Sequence, residues 1–208
     1  MKGYDYAKCG KYYRYLFLMV IPSLIIGVVL NKRIVGNYPA LVTAGIILRA
    51  LLSLVCSYFI WQLRTEDERY SKAAILNACT AVLAAVQNFL APEQYALSII
   101  LSLVGLALGI FHAMNIYPAN ADVLSQPDPT LSAKWLNIKK YYLIMAGASC
   151  ASVVLIFTPF LLMVAALVVV VMALVVYIME LTAYNSSSKV CALYAEAAGR
   201  PEDEAPVN

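Results

Sequence analysis

A single arginine, Arg49, interrupts the apolar stretch GIILRALLSLVCS. Its guanidinium stays charged and presents a planar fork of N–H donors that suits a carboxylate or a phosphate. At helical spacing, Arg49 shares a face with Gly45, Ser53 and Cys56 rather than with leucines. Because an arginine that faces lipid costs about 2.5–3.5 kcal/mol on insertion scales, we expect Arg49 to face the bundle interior or a cavity.

A second interpretation gives Arg49 no function. Side chains on a helix lean towards its N-terminus, and Arg49 lies about ten residues, or roughly 15 Å, beyond Pro39. A long side chain that leans this way reaches headgroups or water by snorkelling. Both interpretations place the guanidinium in the half of the membrane where this helix begins.

Polar residues near the same depth complete a candidate ligand-binding site. Gln87 and Asn88 end the third apolar segment, and Glu93 follows in the short APEQ loop. Together with Arg49 they form either a structural polar network or a binding site for an anionic or amide-bearing solute.

Four other polar residues lie within apolar segments: Asn77, Thr80, His112 and Glu180. A lone histidine without a carboxylate nearby is usually packed and hydrogen-bonded, and a proton relay is the alternative. Glu180 differs from Arg49 in depth by about ten residues, so we expect it at the inner membrane interface rather than in an ion pair with Arg49.

Catalysis and metal binding have little support in the sequence. The chain contains no HExxH, GxSxG, P-loop or dinucleotide-binding motif. Its five cysteines form no CxxC pair and no cluster with the single histidine, so we interpret them as small packing residues. We therefore predict no enzymatic activity, no cofactor and no metal.

The composition indicates a membrane protein. Hydrophobic residues make up 62% of the chain and charged residues 13%, with a mean hydropathy of +0.76. A soluble domain is about half apolar and about a quarter charged. The net charge of +3 is too small, and its lysines and arginines too scattered, for nucleic-acid binding. We predict an all-α integral membrane protein whose surroundings are the lipid bilayer.

Cutting the chain at charged, proline and Gly/Asn clusters predicts six spans of about 20 residues each. Pro159 disfavours helix at the residue before it and separates the last two spans by a tight hairpin. The bundle 14–183 follows a segment 1–13, contains a loop 118–140 and precedes a partly disordered tail 184–208. The predicted spans are 14–31, 40–63, 73–90, 95–117, 141–157 and 160–183.

The positive charges predict the orientation. Twelve lysines and arginines fall on one side of this topology, and only Lys32 and Arg33 fall on the other. Lysine and arginine are enriched in cytoplasmic loops, so both termini are predicted to be cytoplasmic. We expect a multi-pass protein of the cell membrane, and specifically of the bacterial cytoplasmic membrane. Tyr13 and its aromatic neighbours would then lie at the headgroup level.

The loops on the cytoplasmic side carry helix signals. Thr65 and Glu68 have the spacing of a capping box. Asp128 or Thr130 is predicted to cap a helix that begins near Leu131 and continues into the fifth span. Four residues of this helix would meet anionic lipid headgroups or dock a partner: Lys134, Trp135, Lys139 and Lys140.

Small residues mark the faces that pack against other helices, since close approach drives helix association in lipid. They are Gly45 in the second span and Ser98, Ser102, Gly105 and Gly109 in the fourth. The function that fits best is binding or transport of a small polar or anionic solute. The alternative is an accessory, assembly or sensor protein that acts on a partner membrane subunit through helix packing and its cytoplasmic loop.

Overall fold

The computed structural model describes residues 3–30, 38–90, 94–154 and 159–198. Within these ranges it contains six α-helices and no strand, which confirms the all-α prediction. A 3₁₀ turn, Leu63–Thr65, joins the second helix to the third. The helices are α1 Tyr6–Val29, α2 Pro39–Gln62, α3 Glu68–Asn88, α4 Tyr95–Leu124, α5 Pro129–Val154 and α6 Pro159–Ala198.

The six helices form a closed ring in chain order. Each helix packs against the next, and α1 completes the ring by packing against α6. Neighbours run antiparallel, so the start of α1, the end of α6 and the turns after α2 and α4 lie together; we call this the terminal end. The distal end is the opposite one, where α1, α3 and α5 end.

Tight packing is concentrated at the terminal end. The largest fully buried side chains come from α1, α3, α4, α5, α6 and the 3₁₀ turn between α2 and α3, and most lie within a few turns of this end. Towards the distal end, leucines and valines of α2 and α6 are exposed, as expected for helices that face lipid tails. The large buried residues are Tyr13, Leu63, Tyr70, Ile116, Val123, Leu124, Trp135 and Ile138.

Three helices are long and apolar enough to cross a membrane, among the residues that the structure describes. They correspond to α2, α4 and α6, and cover Pro39–Thr65, Ala96–Leu124 and Phe160–Ala198. Their composition supports a membrane location. The six crossings and the cytoplasmic position of the termini stay predictions.

The segment 118–140 contains the predicted helix near Leu131 and more helix before it than predicted. The fourth helix does not end at residue 117 but continues through Pro118 to Leu124, and α5 begins at Pro129. A proline inside a helix removes one hydrogen bond and usually ends or kinks it. Here Ala119, Ala121 and Val123 are all fully buried, and their packing holds this last part of α4 in place.

The first and last helices extend beyond the predicted spans. Helix α1 begins at Tyr6 rather than at residue 14, and α6 continues through residues 184–198. The two segments pack against each other at Gly10, where an added Cβ would lie 3.1 Å from Ser188 O and 3.2 Å from Ala192 N. Residues 199–208 of the predicted tail lie outside the described residues.

The capping predictions have mixed outcomes. Asp128 caps α5, because its Oδ1 accepts from the backbone N–H groups of Thr130 and Leu131, each at 3.0 Å. The hydrogen bond from the Thr130 hydroxyl lowers the pKa of this carboxyl below its ordinary value.

The Thr65–Glu68 capping box is not formed. The 3₁₀ turn includes Thr65, so α3 begins only at Glu68 and its N-cap is Asp67. Asp67 Oδ1 accepts from Arg69 N at 2.8 Å, whereas the Thr65 hydroxyl donates to Glu66 Oε1.

A candidate solute-binding chamber

Arg49 lines two adjoining cavities of about 390 Å³ each in the space bounded by α1, α2, α3 and α6. We call them the upper cavity and the lower cavity, and together the chamber. The upper cavity reaches the distal ends of three helices and is lined by Leu30, Val42, Gly45, Ile46, Arg49, Ala50, Ser53, Thr80, Ala81, Ala84, Ala85 and Asn88. The lower cavity is lined by Ser23, Arg49, Ser53, Cys56, Asn77 and Tyr177.

Helix α2 directs Arg49 into the chamber. Gly45 and Ser57, on the same face, are buried, while Leu48 and Leu51, on the other face, are 41% and 52% exposed. At Gly45 an added Cβ would lie only 2.8 Å from Leu30 Cβ, so α1 and α2 approach closely beside the upper cavity. Arg49 therefore lines both cavities, and its side chain is exposed rather than buried in the bundle.

The guanidinium of Arg49 has no partner in the protein among the described residues. It makes no hydrogen bond or ion pair there, and none of the described residues that line the two cavities is acidic. A cation in a membrane-spanning helix normally pairs with another group or faces water. Among the described lining residues, Arg49 therefore gives the chamber its positive charge.

Two asparagines supply the other amide groups of the chamber. Asn88 lines the upper cavity with Arg49, and its Nδ2 donates to Ala84 O at 2.7 Å. Asn77 lines the lower cavity, and its Nδ2 donates to Ser57 Oγ at 2.9 Å and to Ser53 O at 3.1 Å. Asn77 therefore ties α3 to α2 directly below Arg49.

The predicted four-residue cluster is not formed as proposed, because Gln87 faces away from Arg49. Its Nε2 donates to Ser102 Oγ at 2.6 Å and to Ser98 O at 3.2 Å, which joins α3 to α4. Ser98 and Ser102 are therefore hydrogen-bond partners as well as small packing residues. Glu93 lies outside the described residues.

Thr80 and His112 have local partners. The Thr80 hydroxyl lines the upper cavity but donates to Leu76 O of its own helix at 2.9 Å. His112 is half-buried between α4 and α3, with Nδ1 2.9 Å from Ala73 O. This geometry is that of a packed, hydrogen-bonded histidine, and it supplies no carboxylate partner for a proton relay.

Glu180 lies inside the bundle rather than at a lipid interface. It accepts a hydrogen bond from the Tyr117 hydroxyl and is half-buried among aromatic rings of α4, α5 and α6. Trp135 stacks on Tyr117 with ring centroids 6.0 Å apart and meets Tyr184 edge-on at 4.8 Å. Glu180 therefore pairs with a tyrosine in the half of the bundle away from Arg49.

The two glycines of the fourth helix serve different neighbours. An added Cβ at Gly105 would lie 3.3 Å from Leu83 of α3, whereas one at Gly109 would lie 2.6 Å from the Tyr142 hydroxyl of α5. The GxxxG spacing thus lets α4 pack between two helices, instead of marking one shared interface.

Trp135 is not a membrane-surface residue. It is fully buried, and its Nε1 donates to Ser187 Oγ of α6 at 3.0 Å. Lys134 donates to Thr182 Oγ1 at 2.9 Å, so this side of α5 is used to pack against α6. Lys139 and Lys140 are half-buried and exposed, respectively.

Three buried polar side chains that the sequence analysis missed lie at the terminal end. The hydroxyls of Tyr13 and Tyr70 are 2.8 Å apart, and Tyr70 donates to Asn120 Oδ1 at 2.8 Å. We call this chain the tyrosine plug; it joins α1, α3 and α4. Asn120 Nδ2 is buried without a hydrogen-bond partner in the described part of the protein. The sequence suggested headgroup contacts for Tyr13, because buried and interfacial tyrosines look alike in sequence.

Ion pairs close the same end outside the plug. Lys8 of α1 lies 3.5 Å from Glu66 and donates to Thr65 Oγ1 at 2.5 Å. Arg69 pairs with Asp67 at 2.7 Å and also with Asp122 of α4. The hydrogen bond to the Asp67 carboxylate raises the pKa of the Arg69 guanidinium above its ordinary value. The chamber is therefore closed on the side of the termini.

Comparison of the chain with protein-family models, with curated proteins and with solved structures gives no match. The site is therefore interpreted from its geometry alone. That geometry combines a chamber inside a ring of helices, a cation that has no protein partner among the described residues, and a closed terminal end.

Proposed function

We propose that the protein binds a small polar or anionic solute in the chamber, as a carrier or as the substrate-binding subunit of a membrane transporter. The observation that carries the proposal is the position of Arg49. A charge inside a membrane bundle is costly and commonly marks a substrate or ion pathway. A structural ion pair would give Arg49 another role, but the described residues supply none. A ligand anion supplies the missing counter-charge.

The topology that goes with this function has six crossings with both termini in the cytoplasm. The closed terminal end, where lysines and arginines are enriched, then faces the cytoplasm, as the positive-inside rule requires. The upper cavity then opens to the outside, and the tyrosine plug blocks the inner side. Such an arrangement corresponds to the outward-facing state of a carrier.

The accessory or sensor function has less support. It relied on helix packing and on the segment 118–140 as a cytoplasmic contact, but residues 118–124 belong to α4, and Ala119, Ala121 and Val123 are buried in the bundle. Trp135, the large apolar side chain that such a loop would offer to a partner, is buried in the bundle.

Uptake by membrane vesicles and ligand-induced stabilisation of the purified protein test the proposal. We expect a solute that stabilises the wild-type protein to lose its effect on Arg49→Leu. It should keep its effect on Arg14→Leu, because Arg14 is an exposed cation outside the chamber. Melting of the empty Arg49→Leu protein should stay close to wild type, since no protein partner is stranded. Equal uptake and equal stabilisation in Arg49→Leu and wild type would contradict the proposal.

A further inference from the structure

The two cavities share only two lining residues, Arg49 and Ser53. They lie one helical turn apart on the same face of α2, so both can reach one group placed where the cavities meet. Ser53 accepts from Asn77 through its backbone oxygen, and its hydroxyl proton is given to no described residue. Arg49 and Ser53 thus present a guanidinium fork and a hydroxyl to both cavities. Asn77 donates to Ser53 O and lies 3.5 Å from Ser53 Oγ, which holds the backbone of α2 there.

The charges of the chamber set the charge of the ligand. Arg49 is the only charged residue among those that line the two cavities in the described part of the chain. One negative charge neutralises it. A second negative charge would have no positive partner among the described lining residues. The chamber therefore favours a monoanion over a dicarboxylate or a phosphate monoester, which carries close to two charges at neutral pH.

The residues that line the upper cavity determine the size and polarity of the rest of the ligand. The upper cavity is lined by apolar side chains of α1, α2 and α3 together with Thr80 and Asn88, and its surface is about equally polar and apolar. Its volume of about 390 Å³ lies within the range of pockets that hold small organic molecules. The main apolar lining residues are Leu30, Val42, Ile46, Ala50, Ala81, Ala84 and Ala85.

We infer that the chamber binds an organic monocarboxylate, with its carboxylate between the Arg49 guanidinium and the Ser53 hydroxyl and a compact apolar body in the upper cavity. This inference rests on the proposed function and names its substrate class. A planar carboxylate accepts two parallel hydrogen bonds from an arginine, which a lysine cannot reproduce. The same headgroup occurs on free solutes and on membrane fatty acids.

Calorimetric titration of the protein in lipid nanodiscs tests the inference with five probes. Hexanoate supplies the carboxylate and a compact body, and palmitate supplies the same headgroup on a long chain. Relative to hexanoate, hexanamide lacks the negative charge, succinate carries a second negative charge, and inorganic phosphate lacks the apolar carbon chain. We expect hexanoate or palmitate to bind most tightly; tighter hexanoate assigns a free solute, and tighter palmitate assigns a membrane fatty acid.

Variants localise the headgroup. Binding of the preferred carboxylate should be lost in Arg49→Leu and weakened in Arg49→Lys. Ser53→Ala should weaken it about tenfold, since one hydrogen bond to a charged group is removed. Ser149→Ala is the matched control, because that serine bonds to Met145 O of its own helix and lies outside the chamber. It should bind like wild type.

The outcomes separate the inference from the proposed function. Tighter binding of hexanamide, succinate or phosphate than of either carboxylate overturns the monocarboxylate inference, and so does unchanged carboxylate binding in Ser53→Ala. The proposed function survives those results if binding of the preferred probe still requires Arg49. If none of the five probes binds, the inference is overturned. Probe binding that is the same in Arg49→Leu and wild type overturns both.

Discussion

A methyl group added at Gly10 should weaken the contact that closes the ring of helices. The nearest atoms to such a Cβ are Ser188 O, Ala192 N and Cys191 Cβ, at 3.1, 3.2 and 3.3 Å. Two of the three are backbone atoms of α6, so a rotamer change cannot make room. The two helices would have to move apart around Cys9 and Cys191, which are fully buried on either side of the contact.

The expected loss follows from two opposing effects. Overpacking in a well-packed region costs about 1–3 kcal/mol, and replacing a helical glycine by alanine gains about 0.5–1 kcal/mol. We therefore expect Gly10→Ala to lower the free energy of unfolding by up to about 2.5 kcal/mol. Gly147 of α5 is the matched control, since an added Cβ there meets no atom within 4 Å. Gly147→Ala should leave stability unchanged or raise it slightly.

Thermal unfolding of the two purified variants in the same detergent measures this difference. The predicted result is a lower midpoint for Gly10→Ala than for wild type, with Gly147→Ala at or above wild type. Equal midpoints for the two alanine variants would show that α1 and α6 do not make this close contact. The packing of residues 184–198 described above would then be wrong as well.

Two further predictions concern the terminal end and the topology. Tyr70→Phe removes the hydroxyl at the centre of the tyrosine plug and leaves Tyr13 and Asn120 without their partner, so the free energy of unfolding should fall by about 1–3 kcal/mol. Tyr58→Phe is the control, because Tyr58 is exposed, and it should melt like wild type. Equal melting temperatures of the two variants would refute the plug. Because Cys9 and Cys191 are buried, the topology is better tested with new cysteines at exposed positions. In intact cells, a thiol reagent that cannot cross the membrane should label Gln94→Cys at the distal end and should not label Gln126→Cys at the terminal end. The reverse labelling pattern would invert the proposed orientation.

The helices themselves were predictable because length and apolar content suffice to define a helix in lipid. The positions where the helices begin and end were not predictable in the same way. Residues 118–124 and 184–198 are rich in polar and small residues, and a sequence window scores such segments as loop or tail. They are helical because Asn120, Ser187 and Cys191 are buried against other helices. That burial depends on which helices meet, which periodicity does not reveal.

The side chains of the candidate site were likewise only partly predictable from the sequence. Helical spacing was sufficient to place Arg49 on the face of α2 that lines the chamber, because the small residues of α2 mark that face. Gln87 and Asn88 are neighbours in sequence, yet one bonds to α4 and the other lines the chamber. Assigning them requires the order of helices around the ring. The spacing of Gly105 and Gly109 likewise could not show that they face different helices.

The closure of the ring by α1 and α6 has a consequence for biosynthesis. Helix α1 leaves the ribosome well before its partner α6 is made. Until then Gly10 has no α6 backbone to pack against, and the lower cavity lacks Tyr177, which α6 contributes as its wall. The described lining of the upper cavity, by contrast, comes from α2, α3 and Leu30 at the end of α1. The two cavities therefore complete their described walls at different stages of synthesis, the upper one with α3 and the lower one with α6.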